Sequence, residues 1–127
     1  MLNEDETFGF CYFEYKPNFS EFLPAAEASL AEYHASHTKM NPKDDRDDML
    51  HYSVIPWVSF SSFSHARRFG THDSVPKIVF GKYREEFDTV QLPVSVEVHH
   101  ALMDGLHVGR FFAAFQKHLN EPEVSLA

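Results

Sequence analysis

The run Val94-Ser95-Val96-Glu97-Val98 alternates, with valines on one side and Ser95, Glu97 and the following His99 on the other. That period of two specifies a strand with one apolar face. His99-His100-Ala101-Leu102-Met103-Asp104-Gly105 follows directly. Val108, Phe111, Phe112, Phe115 and Leu119 then recur at helical spacing. The chain is therefore committed here to strand, tight polar turn and helix. A histidine pair at such a junction is held by regular structure on both sides and opened to a ligand by the turn.

The remaining elements are arranged around this one. Thr7 to Tyr15 is rich in aromatic residues and bounded by Pro17, which predicts a strand. Asn18 followed by Glu21 has the form of a capping box, and Phe19, Phe22, Leu23, Ala26, Leu30 and Tyr33 continue it as a helix. His51 to Phe60, Lys77 to Tyr83 and Thr89 to Val98 read as three further strands, the first interrupted by Pro56. Thr38 to Asp48 and Ser64 to Pro76 are polar connections, and the tail after Pro122 is expected to fray. Adjacent strands without crossover helices imply mixed pairing, hence an α/β class with a mixed sheet in one domain.

Composition narrows the function. Eleven Lys and Arg against nineteen Asp and Glu give a net charge of −8. Such a chain is a poor partner for nucleic acid or an anionic membrane surface. The single Cys11 has no internal disulfide partner, which fits a reducing compartment. Met1 to Glu6 has neither the basic nor the apolar region of a signal peptide. No apolar run approaches the roughly 20 residues needed to span a bilayer. A cytoplasmic protein is expected.

His100 is the main candidate for the chemistry. An imidazole titrating near pH 6.5 accepts a proton from a hydroxyl and returns it to a leaving group at neutral pH. Asp104 has the place of a carboxylate partner, as in a hydrolase triad. No GxSxG elbow surrounds Ser59, Ser61, Ser62 or Ser64, which argues against a serine nucleophile. His99, His100, Asp104 and His107 lack HExxH or Cys/His ligand spacing. Asp44, Asp45, Asp47 and Asp48 lack the glycine and terminal glutamate of a calcium loop. No metal is expected.

HHxxxDG, read as His99-His100-x-x-x-Asp104-Gly105, resembles the signature of chloramphenicol acetyltransferases and of the wider CoA-dependent acyltransferase superfamily. That superfamily also holds the acyltransferase domains of 2-oxoacid dehydrogenase complexes and the condensation domains of peptide synthetases. Pro56-Trp57-Val58-Ser59-Phe60-Ser61-Ser62-Phe63, Phe80-Gly81-Lys82-Tyr83, Leu92-Pro93 and Gly105-Leu106-His107-Val108-Gly109-Arg110 are similar to the chloramphenicol acetyltransferase pattern in order and spacing. The likeness runs from about Asp5 to about Asn120.

The resemblance implies a mixed β-sheet with flanking helices in an acyltransferase-like two-layer sandwich. It implies transfer of an acetyl group from acetyl-CoA to a hydroxyl of chloramphenicol or a similar small acceptor, and hence antibiotic resistance. His100 takes the role of general base and Ser62 that of oxyanion donor. His99, Asp104 and Gly105 are structural members of the motif, Gly105 permitting the tight turn. Lys82 and Tyr83 contact the nucleotide end of CoA, and Phe8, Phe10, Tyr12 and Phe13 line the acceptor pocket. Val79 with Phe80 replaces a hydroxyl residue usual in related enzymes.

The resemblance also implies that residues 1–127 are the C-terminal portion of such a domain, N-terminally truncated, forming a homotrimer when complete. The arginine expected to pair with Asp104 then has no counterpart, leaving Asp104 an unpaired, partly buried carboxylate. On that reading this chain alone is poorly soluble or associates through the Phe8 to Tyr15 edge, and lacks turnover. A non-catalytic remnant, or another CoA-dependent acyltransferase, is the alternative.

Overall fold

A computed structural model describes residues 2–36, 48–65 and 74–126. In chain order it holds α1 (Phe19–Ser36), β1 (His51–Val54), β2 (Lys77–Phe80), β3 (Arg84–Glu86), β4 (Thr89–Gln91), β5 (Val94–Glu97), α2 (Gly105–Asn120) and α3 (Pro122–Ser125). Residues 2–36 and 113–126 form one compact unit, and residues 48–65 and 74–112 a second. The class is mixed α/β.

The second unit is built on a three-stranded sheet of order β1-β2-β5. β1 runs parallel to β2, from His51 opposite Lys77 to Val54 opposite Phe80. β5 runs antiparallel to β2, with Lys77 opposite Glu97 and Val79 opposite Ser95. Residues opposite one another share a face. One face therefore carries His51, Ser53, Lys77, Val79, Ser95 and Glu97, the other Tyr52, Val54, Ile78, Phe80, Val94 and Val96. Val79, at the centre of the first face, is only 1% exposed. The segment 60–65 lies over this face. Phe60, Phe63 and His65 pack ring to ring, with centroids 5.6 and 5.1 Å apart, and His65 reaches His51 at 5.7 Å.

Prolines and glycines cut the expected strands short. β1 ends just before Pro56: Ile55 still donates its N–H to Phe80 O (2.8 Å), and Pro56 has no N–H to extend the pairing. β2 stops at Phe80, where Gly81 lets segments touch. A Cβ on Gly81 would come within 2.8 Å of the Phe60 ring and 3.0 Å of Val58 O. The strand expected over Thr89 to Val98 is two strands, divided at Leu92-Pro93. β3 and β4 instead form a separate hairpin closed by Phe87 and Asp88. Phe87 takes a positive φ of 54° and is 99% exposed.

In the first unit, α1 begins beneath Asn18. The Asn18–Glu21 pair is present, but the Asn18 amide donates to the Glu21 carboxylate (3.3 Å), while Asn18 O accepts from Glu21 and Phe22 N–H. Tyr33 and Ala26 are the buried side chains of α1. The Tyr33 hydroxyl donates to Asn3 Oδ1 at 2.7 Å. Gly9 lies against the same ring, and a Cβ there would collide with the Tyr33 hydroxyl.

The strand expected at Thr7 to Tyr15 does not form. Among the described residues its one ladder contact is an isolated bridge between Leu2 and Phe8. β propensity expresses itself only against a neighbouring strand, and no described strand pairs with this segment. The tail, expected to fray, instead makes the one-turn α3. Ser125 N–H donates to Glu121 O (3.1 Å), and His118 Nδ1 lies 2.7 Å from Ser125 Oγ. Residues 37–47, which hold most of the acidic loop, and residues 66–73 lie outside the described residues.

Candidate active site

β5 ends at Glu97, and the chain turns on His99. His99 O accepts from Leu102 N–H (2.9 Å) and Met103 N–H (3.1 Å), while His99 Nδ1 accepts from Ala101 N–H (3.3 Å). The ring of His99 is thus a fixture of the turn, with its proton on Nε2. His100, at the top of the turn, is exposed. Among the described residues its side chain has no hydrogen-bond partner, so both ring nitrogens are available to a ligand. One histidine closes the turn and the other is displayed by it.

Asp104 differs from the expectation of an unpaired, partly buried carboxylate. It is exposed and caps α2. Its Oδ1 accepts from Leu106 N–H (3.0 Å) and His107 N–H (3.3 Å), as an N-cap does, and lies 2.8 Å from His107 Nδ1. The His107 N–H holds the Asp104 carboxyl below the usual aspartate range, helped by the His107 ring and the Leu106 N–H. The positive end of the helix adds to the same effect. Asp104 faces away from the role of partner to His100, since its ring contact is His107. Gly105 also departs from expectation. It is the first residue of α2, it lacks a positive φ, and a Cβ there would meet open space.

Ser62 sits in the 60–65 segment, and its side chain is exposed. Among the described residues it makes no hydrogen bond, with His100 or otherwise. Its neighbours are tethered to β5. Ser95 Oγ donates to Phe63 O (3.2 Å) and His65 N–H donates to Glu97 Oε1 (2.7 Å). The His65 ring also nears Glu97 Oε1, at 3.4 Å from Nδ1, but without hydrogen-bond geometry.

Lys82 and Tyr83 open a groove of about 630 Å³ with Val54, Pro56, Phe80, Gly81, Arg84, Glu85 and Leu92. Its floor is fixed by backbone bonds, from Gly81 N–H to Pro93 O and from Lys82 N–H to Val58 O, both 2.8 Å. Neither Lys82 nor Arg84 has a carboxylate partner among the described residues. Two cations beside an exposed tyrosine suit a phosphorylated ligand with a flat ring. Arg84 escaped the sequence reading because the charged run Arg84-Glu85-Glu86 gives no apolar alternation. Ser62 and His100 do not line this groove.

Phe8, Phe10, Tyr12 and Phe13 belong to the other unit. Phe8 is 57% exposed and Tyr12 40%, while Phe10 and Phe13 are half-buried. Phe8 and Phe10 meet edge to face with centroids 6.1 Å apart, and Phe13 leans on Phe22 at 6.3 Å. Burial pushes the nearby Cys11 thiol up, which disfavours a reactive thiolate there. Among the described residues no cluster of His, Cys, Asp and Glu has the make-up of a metal site, and no helix is long and apolar enough to cross a membrane.

The sequence model described as chloramphenicol acetyltransferase matches residues 1–116. Chloramphenicol acetyltransferase 2 of Escherichia coli is 38% identical over 114 residues, 89% of this chain and 53% of that protein. Chloramphenicol acetyltransferase of Clostridium perfringens is 31% identical over 118 residues, 93% of this chain and 57% of that protein. Chloramphenicol acetyltransferase 2 of Haemophilus influenzae is 37% identical over 114 residues, again 89% and 53%. The chain spans about half the length of the curated relatives it matches. A match of that extent to the family's sequence model places this chain in the chloramphenicol acetyltransferase family.

Proposed function

We propose that the chain carries the acetyl-transfer site of an enzyme that moves an acetyl group from acetyl-CoA to a hydroxyl of chloramphenicol or a similar small acceptor. The observation that carries this reading is the turn itself. His99 is used up in closing it, and His100 is presented with both ring nitrogens uncommitted. A general base needs its accepting nitrogen open to the acceptor hydroxyl.

In the proposed reaction the acceptor hydroxyl hydrogen-bonds to an unprotonated nitrogen of His100. Its oxygen attacks the thioester carbonyl carbon, forming the new C–O bond as its proton passes to the imidazole. The carbonyl oxygen becomes an oxyanion, to which the Ser62 hydroxyl donates. A donor of this kind contributes about 2.7–4 kcal/mol when placed correctly. The tetrahedral intermediate collapses, the C–S bond breaks, and the imidazolium returns its proton to the leaving CoA thiolate. Lys82, Tyr83 and the groove they open bind the nucleotide end of CoA, with Arg84 as a second cation. In the homotrimer one subunit brings His100 and its neighbour contributes Phe8, Phe10, Tyr12 and Phe13 to the acceptor pocket.

We further propose the two-layer acyltransferase sandwich for the complete domain, with residues 1–127 as its C-terminal portion, and a cytoplasmic homotrimer with no resident metal. Ser62 and His100 are both exposed, with no bond between them, and this favours a second reading, in which the motif persists without turnover. A thiol-release assay with acetyl-CoA and chloramphenicol separates the two. The catalytic reading expects release that Ser62→Ala lowers in kcat more than it raises KM, with Ser61→Ala near wild type. A folded protein that releases no thiol supports the second reading, and a pure KM effect at Ser62 removes its oxyanion role.

A further inference from the structure

The polar face of β5 has a use that the proposed chemistry does not absorb. Ser95 and Glu97 lie two residues apart on one side of the strand, and each reaches the segment above it. Ser95 Oγ donates to Phe63 O at 3.2 Å, and Glu97 Oε1 accepts from His65 N–H at 2.7 Å. The steps from 63 to 65 and from 95 to 97 run in the same chain direction, so the two bonds act as rungs. Both are part-buried and join points 32 residues apart in sequence. The carboxylate rung is of the stronger, charge-assisted kind.

These rungs join the two pieces of chain that carry the proposed chemistry. Ser62 precedes the first rung by one residue. His99 and His100 follow the second by two and three. On the far side, Phe60 is seated against Gly81. We infer that Glu97, with Ser95, is a positioning residue: it straps the Ser62 segment onto the strand that delivers His100, and so sets the register between oxyanion donor and base. The inference rests on the roles proposed above for Ser62 and His100. The groove around Lys82 and Tyr83 is fixed by other bonds, at Gly81 N–H and Lys82 N–H. Loosening the strap should therefore spare CoA binding and slow the chemical step, because a misplacement of about 1 Å costs on the order of 10²-fold in rate.

The test uses the whole chain and four variants. Glu97→Val and Ser95→Val remove a rung while keeping a β-favouring side chain. Glu97→Gln and Ser95→Thr keep the acceptor and the donor. Amide exchange of His65, read by NMR, reports the strap directly. It should quicken roughly tenfold or more in Glu97→Val and stay near wild type in Glu97→Gln. In the thiol-release assay Glu97→Val should lose ~10–10²-fold in kcat with KM for acetyl-CoA little changed, and Glu97→Gln should recover most of the loss. The Ser95 pair should follow the same order with smaller effects. Unchanged His65 exchange in Glu97→Val overturns the strap. Faster exchange with an unaltered kcat, where release still depends on His100, overturns the positioning role. If release does not depend on His100, the chemical reading fails instead, and the exchange data still decide whether the strap exists.

Discussion

The turn after β5 and the aromatic segment Phe8 to Tyr15 resemble each other in sequence clarity and differ in outcome. Both are dense, patterned stretches. The turn is completed by its own atoms: His99 O, His99 Nδ1 and Asp104 Oδ1 take up the N–H groups of Ala101, Leu102, Met103, Leu106 and His107. The aromatic segment has the strand-forming residues, yet among the described residues it makes one isolated bridge and leaves Phe8, Tyr12 and Tyr15 exposed. A local device closes on its own, whereas a strand needs a second strand.

Stability measurements sharpen that contrast. Val79 is small but sealed at the centre of the sheet, whereas Phe8 is large and more than half exposed. Val79→Ala should cost about 2–3 kcal/mol in urea unfolding, and Phe8→Ala under about 1 kcal/mol. The reverse order would mean that the aromatic segment is covered in solution. Gly9→Ala comes next, at about 1–2 kcal/mol, because the new methyl displaces the Tyr33 hydroxyl from Asn3. Loss of the Tyr33–Asn3 coupling should be visible in the amide exchange of residues near the chain start, and no change there would remove the anchor from the account.

Acid probes the turn. Asp104 is held below the ordinary aspartate value by its hydrogen bonds, and the unfolded group titrates near about 3.9. A folded value below the unfolded one means that its support is present above about pH 4 and is lost as pH falls through the folded value. The Leu106 and His107 amide signals should therefore shift on acidification, while Asp104→Asn, which keeps an acceptor, removes the titration and holds the cap. Titration unaltered in Asp104→Asn would place the effect elsewhere. Gly105→Ala is the smallest change expected, within about 0.5 kcal/mol, because the site is open and already helical. A large loss there would restore Gly105 to the turn.

Where neighbours in sequence supply the partners, the sequence could be read. Val94 to Val98 alternate and become β5, and Val108 to Leu119 repeat helically and become α2. Asn18 and Glu21 open α1. Asp104 caps α2 through the N–H groups that follow it in sequence, whereas the family resemblance implies a distant arginine as its partner. The other differences between expectation and structure have one cause. Whether Thr7 to Tyr15 pairs, where Leu92-Pro93 divides a strand, and how Lys82, Tyr83 and Arg84 meet Val54 and Leu92 in a groove depend on register between distant segments. Charged β3 had no apolar signal to read, and Ser95 and Glu97 looked only like the polar side of a strand.

The two adjacent histidines do different work, one closing the turn and one displayed by it. Thiol release measured for His99→Ala and His100→Ala, side by side, tests that directly. His100→Ala should lose at least the ~10²–10⁴-fold typical of a missing general base. His99→Ala should lose far less, because the carbonyl of residue 99 still accepts the N–H groups of Leu102 and Met103. Equal losses in the two variants, or a greater loss at His99, would contradict the account.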